Sequence, residues 1–566
     1  MNKIAEQVNF NHNAKRSYFA GLFFIILVST IAHFLFSRLG FNPTDDGGIL
    51  SGCRRILEGQ VPYRDFMSIR PVGSSFLHIL FVLWGGDYIF WISRYFIWFE
   101  FACIAWAWTI IVNRLLNIQL SSRDKFIYAL ISFVFSVHYA PLMVWQTVDG
   151  FFLASVGLMM CSGQLSYIKI IGYFLLGLAP LCKQNFLLII PLFILFLKDW
   201  RQIRFWLAAF MPAIGAVIYL LLNGAMSDAI MQLKSQTNIF SVGFKNYIII
   251  WSVPWGILIG YLVMYLVSAP FVNRTENTFK YAKWQWLLGL FILYGILFSV
   301  VITLGRNCFT GKVSFGIFGV AAGAAIYFLI NKRQWTAPVI IGFIVIMTAW
   351  TVSISLGYNT PALASGPLIL LLIGYVQYSY QRNLEKGMKK VIDLLTIILV
   401  VVAILAFGTV RYKYIYRERP ASDLTYSLNG ILPGGKFILT NGNTYAFLVD
   451  LKNAIDKTGG KKYSILPDLG GYWVANSQLN PLPHDGPISI ELPTPRLKAR
   501  FIDALESQRW KNIVIVQKVH ADTLSEGFTP LLSYDYYGIS DFYGIVKYVR
   551  IHFTKIGETK FFELYE

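Results

Sequence analysis

The most restrictive feature of this chain is a series of apolar stretches, each close to the length that crosses a lipid bilayer. A spanning helix needs roughly 20 mostly apolar residues, because no water inside the hydrocarbon layer satisfies an exposed backbone group. Scanning the sequence at that length gives about thirteen candidates. They lie near 17–37, 91–112, 126–143, 150–167, 170–182, 185–197, 205–222, 247–268, 285–304, 313–331, 336–356, 363–380 and 391–410. The stretches at 170–182 and 185–197 are short and read as tilted or broken helices. Composition agrees: 56% of the 566 residues are apolar and 14% are charged. An ordinary soluble protein is about 45–50% apolar with glycine included and about 25% charged. An ordinary soluble enzyme, a disordered chain and a disulfide-rich secreted domain are therefore excluded. The expected fold class is a polytopic α-helical membrane protein.

The formal charge of +19 needs care in such a chain. Residues 1–410 hold 30 Lys and Arg against 14 Asp and Glu, whereas residues 411–566 hold 19 against 16. The basicity therefore belongs to the apolar part, where it marks loops kept on the cytoplasmic side rather than a nucleic-acid footprint. One alternating set of connections carries 19 of those 30 cations, among them Lys15, Arg16, Arg114, Arg123, Arg201, Arg204, Lys386, Lys389 and Lys390. That bias places the N-terminus in the cytoplasm, and an odd number of spans puts the tail outside. The first segment has basic flanks but no small-x-small cleavage site after it, so it reads as an uncleaved first helix.

Two regions thus face outward, a first loop at 38–90 and the tail at 411–566. In the tail, 437–440 and 512–516 read as buried strands, 544–550 and 560–564 as a hairpin pair, and 444–458 and 495–507 as helices. A small exported α/β domain is expected after a membrane domain at 1–410. The five cysteines, Cys53, Cys103, Cys161, Cys182 and Cys308, show no metal or CxxC spacing and none lies in the tail. Asn273-Arg274-Thr275 is the single glycosylation sequon and falls on the cytoplasmic side, which favours a bacterial plasma (inner) membrane.

The chemistry gathers in the first loop. Asp45 and Asp46 stand side by side before Gly47 and Gly48, just past the first span. Arg54, Arg55, Arg64 and Arg70 follow. The stretch 74–84 is too short to span and reads as an amphipathic helix on the membrane surface. A solvated loop whose charges merely pair is the plainer alternative.

This loop resembles that of the polyprenol-phosphate-sugar-dependent glycosyltransferases of the GT-C superfamily, which include protein O-mannosyltransferases, aminoarabinose transferases and bacterial relatives. The resemblance rests on Asp45-Asp46-Gly47, on Glu58-Gly59-Gln60-Val61-Pro62-Tyr63-Arg64-Asp65-Phe66 and on Arg70-Pro71-Val72-Gly73. It covers about thirty residues closely and the remainder by layout alone. It implies a GT-C-like membrane domain and an inverting transfer of a sugar from a polyprenyl-phosphate carrier to a glycan, lipid or protein acceptor of the cell envelope. A carboxylate takes the acceptor's proton, and cations receive the phosphate as it leaves. The resemblance makes Asp45 the base and Asp46 its orienting neighbour, or the reverse. Arg70 and Lys183 would hold the donor phosphate, with Arg54, Arg55 and Arg306 as further contacts and Tyr63, Arg64 and Gln184 nearby.

Other residues carry two readings. Asp149 matches a second acidic position of related enzymes, or is a helix N-cap. His138 contacts substrate, or is a core histidine. Lys183 meets the phosphate, or snorkels to the surface. Arg94 and Glu100 are spaced to form a pair within the second span. The stretch 466–473 offers Tyr472 and Trp473 for sugar stacking, or is a folded loop. No cofactor is expected; Asp45, Asp46 and Asp149 are the set that would hold a divalent ion if one were used. A transporter or flippase for a lipid-linked glycan, or a polysaccharide polymerase or ligase, are the alternatives of other classes. Against the transporter stand the absence of paired halves and the collection of charges at the outer face.

Overall fold

The structure, a computed structural model, describes residues 2–138, 140–236, 239–268, 279–306, 310–332, 336–355, 359–380, 386–531, 534–536 and 538–566. Each of the thirteen apolar stretches is helical over most of its length. Seven helices are long and apolar enough to cross a bilayer: Tyr18–Phe36, Ile79–Leu115, Ile203–Leu222, Lys283–Leu304, Lys312–Asn331, Pro361–Ser379 and Lys389–Lys413. An eighth is counted if Gly243–Ile249 and Ser252–Ser268, bent by 67° at their junction, form one broken span. The chain is a helical membrane protein. Four shorter apolar helices, Gln146–Cys161, Ser166–Cys182, Gln184–Phe196 and Ala337–Ser353, make up most of the difference from thirteen. At 17 residues or fewer they rise no more than about 25 Å, short of the ~30 Å hydrocarbon core.

Small residues set how closely the helices approach. A side chain at Gly260 would lie 2.0 Å from the Val320 carbonyl, and one at Gly323 would lie 1.9 Å from that of Ile257. Glycine is needed there because the two backbones touch, the small-residue packing that holds helices together in lipid.

The tail carries two sheets. Strands β1 (Tyr426–Ser427) and β2 (Leu439–Thr440) pair antiparallel. The larger sheet runs β3 (Lys462–Leu466), β4 (Asn512–Gln517), β6 (Phe562–Tyr565) and β5 (Lys555–Glu558), with β3 and β4 parallel and the other neighbours antiparallel. Alternation along the strands gives each face its own core. Ile465, Ile513, Ile515 and Leu564 join the hydrophobic core that continues into the membrane helices. Leu466, Val514, Val516 and Tyr565 pack on Leu497, Phe501, Val546 and Val549 of the helices Pro495–Ser507 and Gly544–His552.

The structure corrects two strand expectations. Residues 544–550 form a helix, and the hairpin partner of the last strand is Lys555–Glu558. Ile545, Val546 and Val549 are all buried, a helical spacing that one sheet face satisfies. The packing of that face overrides the strand preference of β-branched residues. Of 437–440 only Leu439 and Thr440 are strand, and Phe437 is exposed with a positive φ of 70°.

The first loop and the tail are joined. Leu439 donates its backbone N–H to Arg38, Gly471 to Pro43 and Met67 to Pro483. Met67 and Ile69 enter the outer core of the sheet domain. The 74–84 stretch breaks at His78 into the helices Gly73–Leu77 and Ile79–Gly85, with Phe76, Leu80, Leu83 and Trp84 exposed and His78 fully buried.

Candidate functional site

The acidic pair sits on a turn closed by Asn42. The Asn42 amide oxygen accepts from the Thr44 and Asp45 backbone N–H groups at 3.1 and 2.9 Å and from the Thr44 hydroxyl at 2.5 Å. The Asn42 N–H in turn donates to Asp46 Oδ2 at 2.7 Å. Such a side-chain-closed turn fixes adjacent residues without help from a helix or sheet, and here it sends the two carboxylates to different partners. Asp46 is buried and takes Arg94 Nη2 at 3.2 Å from both oxygens. Burial pushes its carboxyl above the ordinary range, with Arg94 opposing. Arg94 also donates to the carbonyls of Ser37 and Gly40, which the end of the first helix leaves unpaired. The expected Arg94–Glu100 pair is therefore not formed. Asp45 is one-third exposed, at 34%, and its Oδ2 accepts from the Tyr416 hydroxyl at 2.8 Å and from Arg417 Nη1 at 3.0 Å. A cleft lined by Phe41, Asp46, Arg94, Arg411 and Tyr416 opens beside this turn.

Among the cations, Arg70 and Lys183 come together. Arg70 is bidentate on Glu491, 2.8 Å on each arm. Burial works against its charge, but Glu491 and then Asp45 hold the guanidinium protonated. Lys183 breaks the chain between two short apolar helices with an extended φ of −152°. Its ammonium donates to the Thr147 hydroxyl at 2.7 Å. Among the described residues no carboxylate lies within ion-pair reach of it. Burial first, and the charge of Arg70 second, lower it to about 7.

The other expected cations are occupied elsewhere. Arg54 pairs with Glu58 one turn on, at 2.6 Å. Arg55 is buried and bidentate on Asp485, with a third bond to the Leu482 carbonyl, so it ties the first loop to the tail. Arg64 is exposed and forks onto Asp65. Arg55 thus presents no free fork for a phosphate. The buried Tyr63 hydroxyl donates to the Arg70 carbonyl, which shapes the loop from a positive-φ position of 69°. Gln184 donates to the Leu233 carbonyl. His138 is buried against Phe407, in keeping with a core histidine. The Arg306 side chain, the 307–309 turn and the 273–275 sequon lie outside the described residues.

Asp149 is not the N-cap of its helix. It is fully buried in the first turn of Gln146–Cys161, whose N-cap is Trp145, and it contacts His78 Nε2 at 3.0 Å. Asp45, Asp46 and Asp149 thus face different partners and do not assemble as one metal set. Tyr472 and Trp473 are buried, and Tyr472 bonds Tyr463, which removes them as a sugar platform.

The tail instead brings Asp468 to the site. Gly47 and Gly471 meet so closely that a side chain at Gly47 would lie 2.3 Å from the Gly471 Cα. This contact sets the 468–473 segment on the acidic turn. Burial pushes the Asp468 carboxyl well above the usual range, and the neighbouring Asp45, Glu491 and Asp522 push it further. His484 lies 3.9 Å from Glu491, and burial lowers it.

Family models, curated proteins and solved structures give no match to this chain.

One partly exposed carboxylate, Asp45, lies in the field of Arg70 and beside a second acid of raised proton affinity. Lys183 supplies a cation whose only described partner is a hydroxyl. Proton removal next to a developing anion is what such a set can do. Asp468, Glu491, Tyr416 and Arg417 were not legible as site residues. They are 371 or more positions from Asp45, and the one available signal was Asp468 in the Pro467-Asp468-Leu469-Gly470-Gly471 turn.

Proposed function

We propose that the chain is an inverting membrane glycosyltransferase that moves a sugar from a polyprenyl-phosphate carrier to a cell-envelope acceptor. Asp45 accepts the acceptor hydroxyl's proton as the oxygen bonds to the anomeric carbon. The bond from that carbon to the phosphate oxygen breaks, and its electron pair leaves with the phosphate. Lys183 receives the added charge, and Arg70, whose fork is held by Glu491, adds the field of its guanidinium. No protein nucleophile is involved, so one displacement inverts the sugar carbon. Asp46, held by Arg94, positions the turn, and Asp468 faces the same reaction space from the tail. In this reading the membrane domain is GT-C-like with about thirteen membrane-inserted helices, the N-terminus is cytoplasmic, and the tail is an extracytoplasmic α/β domain of a bacterial inner-membrane protein.

The observation that carries the reading is that Asp45 lies in the field of Arg70, which in turn neighbours Lys183, a cation with no carboxylate in ion-pair reach among the described residues. A cation kept without a counter-ion in a protein interior suits an anionic ligand. The test is transfer from a polyprenyl-phosphate sugar in membranes, with the acceptor found by mass spectrometry of envelope glycans from a deletion strain. Asp45→Asn should lower transfer by about 100-fold or more. Full transfer by both Asp45→Asn and Asp46→Asn would overturn the reading.

A further inference from the structure

Beneath the acidic turn lies a second group of ionisable side chains that the transfer reading does not use. His78 sits at the break between the two short helices of the first loop. Glu100 lies on the long helix Ile89–Leu115, and Asp149 lies in the first turn of Gln146–Cys161. All three are 0% exposed. One ligand-type atom from each falls within 4.8 Å of the others. His78 Nε2 and Asp149 Oδ1 are 3.0 Å apart, the spacing of neighbouring ligand atoms on one small cation.

What distinguishes this group from an ordinary ion-pair network is how little of it is satisfied. Among the described residues, both Glu100 oxygens, Asp149 Oδ2 and His78 Nδ1 have no hydrogen-bond partner. A buried carboxylate without a donor or counter-ion is among the most costly arrangements a protein can hold. Glu100 is such a carboxylate, and Asp149, which faces it, has His78 on one oxygen alone. Arg94 is on the same helix but is committed to Asp46 and the end of the first helix.

We propose that His78, Glu100 and Asp149 form a binding site for one divalent transition-metal ion, of the Zn²⁺ or Mn²⁺ class. A dication with two carboxylates and a neutral imidazole makes a site of zero net charge and gives the orphaned oxygens a partner. Nitrogen and oxygen ligands at about 2.0–2.2 Å suit these ions. The site ties the first loop to two membrane helices, one of which also carries Thr147, the hydroxyl that Lys183 meets. The proposal does not rest on the transfer reading, because its readout is metal content.

The test uses the full chain, purified in detergent, stripped with chelator, and reloaded with Zn²⁺ or Mn²⁺ in separate arms. Mass-spectrometric metal analysis should give about one ion per chain in at least one arm, with a raised Tm, as expected when a ligand binds only the folded state. Glu100→Gln and Asp149→Asn should each lose the ion. Titration of the unmutated protein with Co²⁺, read by its d–d absorption bands, gives an answer even if those variants fold poorly. Failure of the unmutated protein to retain any of the three ions overturns the proposal. So does retention that survives both substitutions. Stabilisation by Glu100→Gln without metal would show instead that the two acids share a proton.

Discussion

Arg94 Nη2 lies 3.2 Å from both carboxylate oxygens of Asp46, across 48 positions of sequence. The same guanidinium bonds the Ser37 and Gly40 carbonyls just past the end of the first helix. One side chain therefore fixes both where that helix ends and where the acidic turn begins. Replacing Arg94 by Met should destabilise the protein by about 3 kcal/mol. This is the low end for a broken buried pair, because Asp46, already pushed up by burial, can take a proton. A thermal unfolding series in detergent would check it. Adding Asp46→Leu should recover part of the loss, and a double variant worse than the sum of the singles would contradict the pairing.

Lys183 should make anion binding depend on pH near neutrality. Its folded value of about 7 is lowered from the ordinary 10.5. The charge is therefore full only well below 7, half lost at 7 and gone well above it. Affinity for a short-chain prenyl phosphate should fall between about pH 6 and 8 relative to Lys183→Arg, whose charge does not titrate there. The ratio of the two affinities removes the phosphate's own ionisation. Lys183→Met should weaken binding by roughly 10- to 100-fold, the worth of one charge-assisted hydrogen bond. Equal pH profiles for the unmutated protein and Lys183→Arg would show that this ammonium does not meet the anion.

Gly47→Ala should separate the tail from the acidic turn. Its new methyl would meet Gly471 Cα at 2.3 Å and backbone atoms on either side, none of which can rotate away. A cost of about 1–3 kcal/mol is expected from such overpacking, with a larger loss of transfer because Asp468 moves. Gly48→Ala has nothing within 4 Å and should be silent. Equal behaviour of the two variants in Tm and transfer would refute the close contact.

Acid should release the tail from the first loop. Burial raises Asp485 and Glu491, but Arg55 and Arg70 outweigh it and hold both carboxyls below the ordinary range. Such depressed groups stabilise the fold fully above the unfolded value of about 4 and lose that contribution as pH falls through the lower folded value. Hydrogen exchange at 480–492 should stay slow at pH 5 and accelerate only well below pH 4. In Arg55→Ala the same segment should already exchange fast at pH 7, at a cost of about 3–5 kcal/mol for a buried pair broken on one side.

Much of the membrane part was legible because apolar length and period are local properties. All thirteen stretches are helical over most of their length, and the two read as short, 170–182 and 185–197, are among the four apolar helices that stop short of a full crossing, together with 146–161 and 337–353. In the tail, 495–507 kept its periodicity in the fold, with buried Leu497, Phe501 and Leu505 at helical spacing. The segment 544–552 did not declare itself, because Ile-Val-Lys-Tyr-Val suits a strand until a sheet face is present to bury one side of a helix.

The site divides in the same way. Asp45, Asp46, Arg70 and Lys183 could be singled out from the sequence, because adjacent acids at a span end and a lysine between apolar stretches are rare and costly. The sequence also determined the class of protein, since 56% apolar residues leave no soluble option. Which acid is buried, which arginines are already spent and which tail residues reach the turn were decided only by tertiary structure. A side chain's partner depends on long-range approach: Arg55 meets Asp485 across 430 positions and Arg70 meets Glu491 across 421. Charge pairing at that range leaves no local trace in composition or period, because either partner alone reads as one more polar residue in a loop.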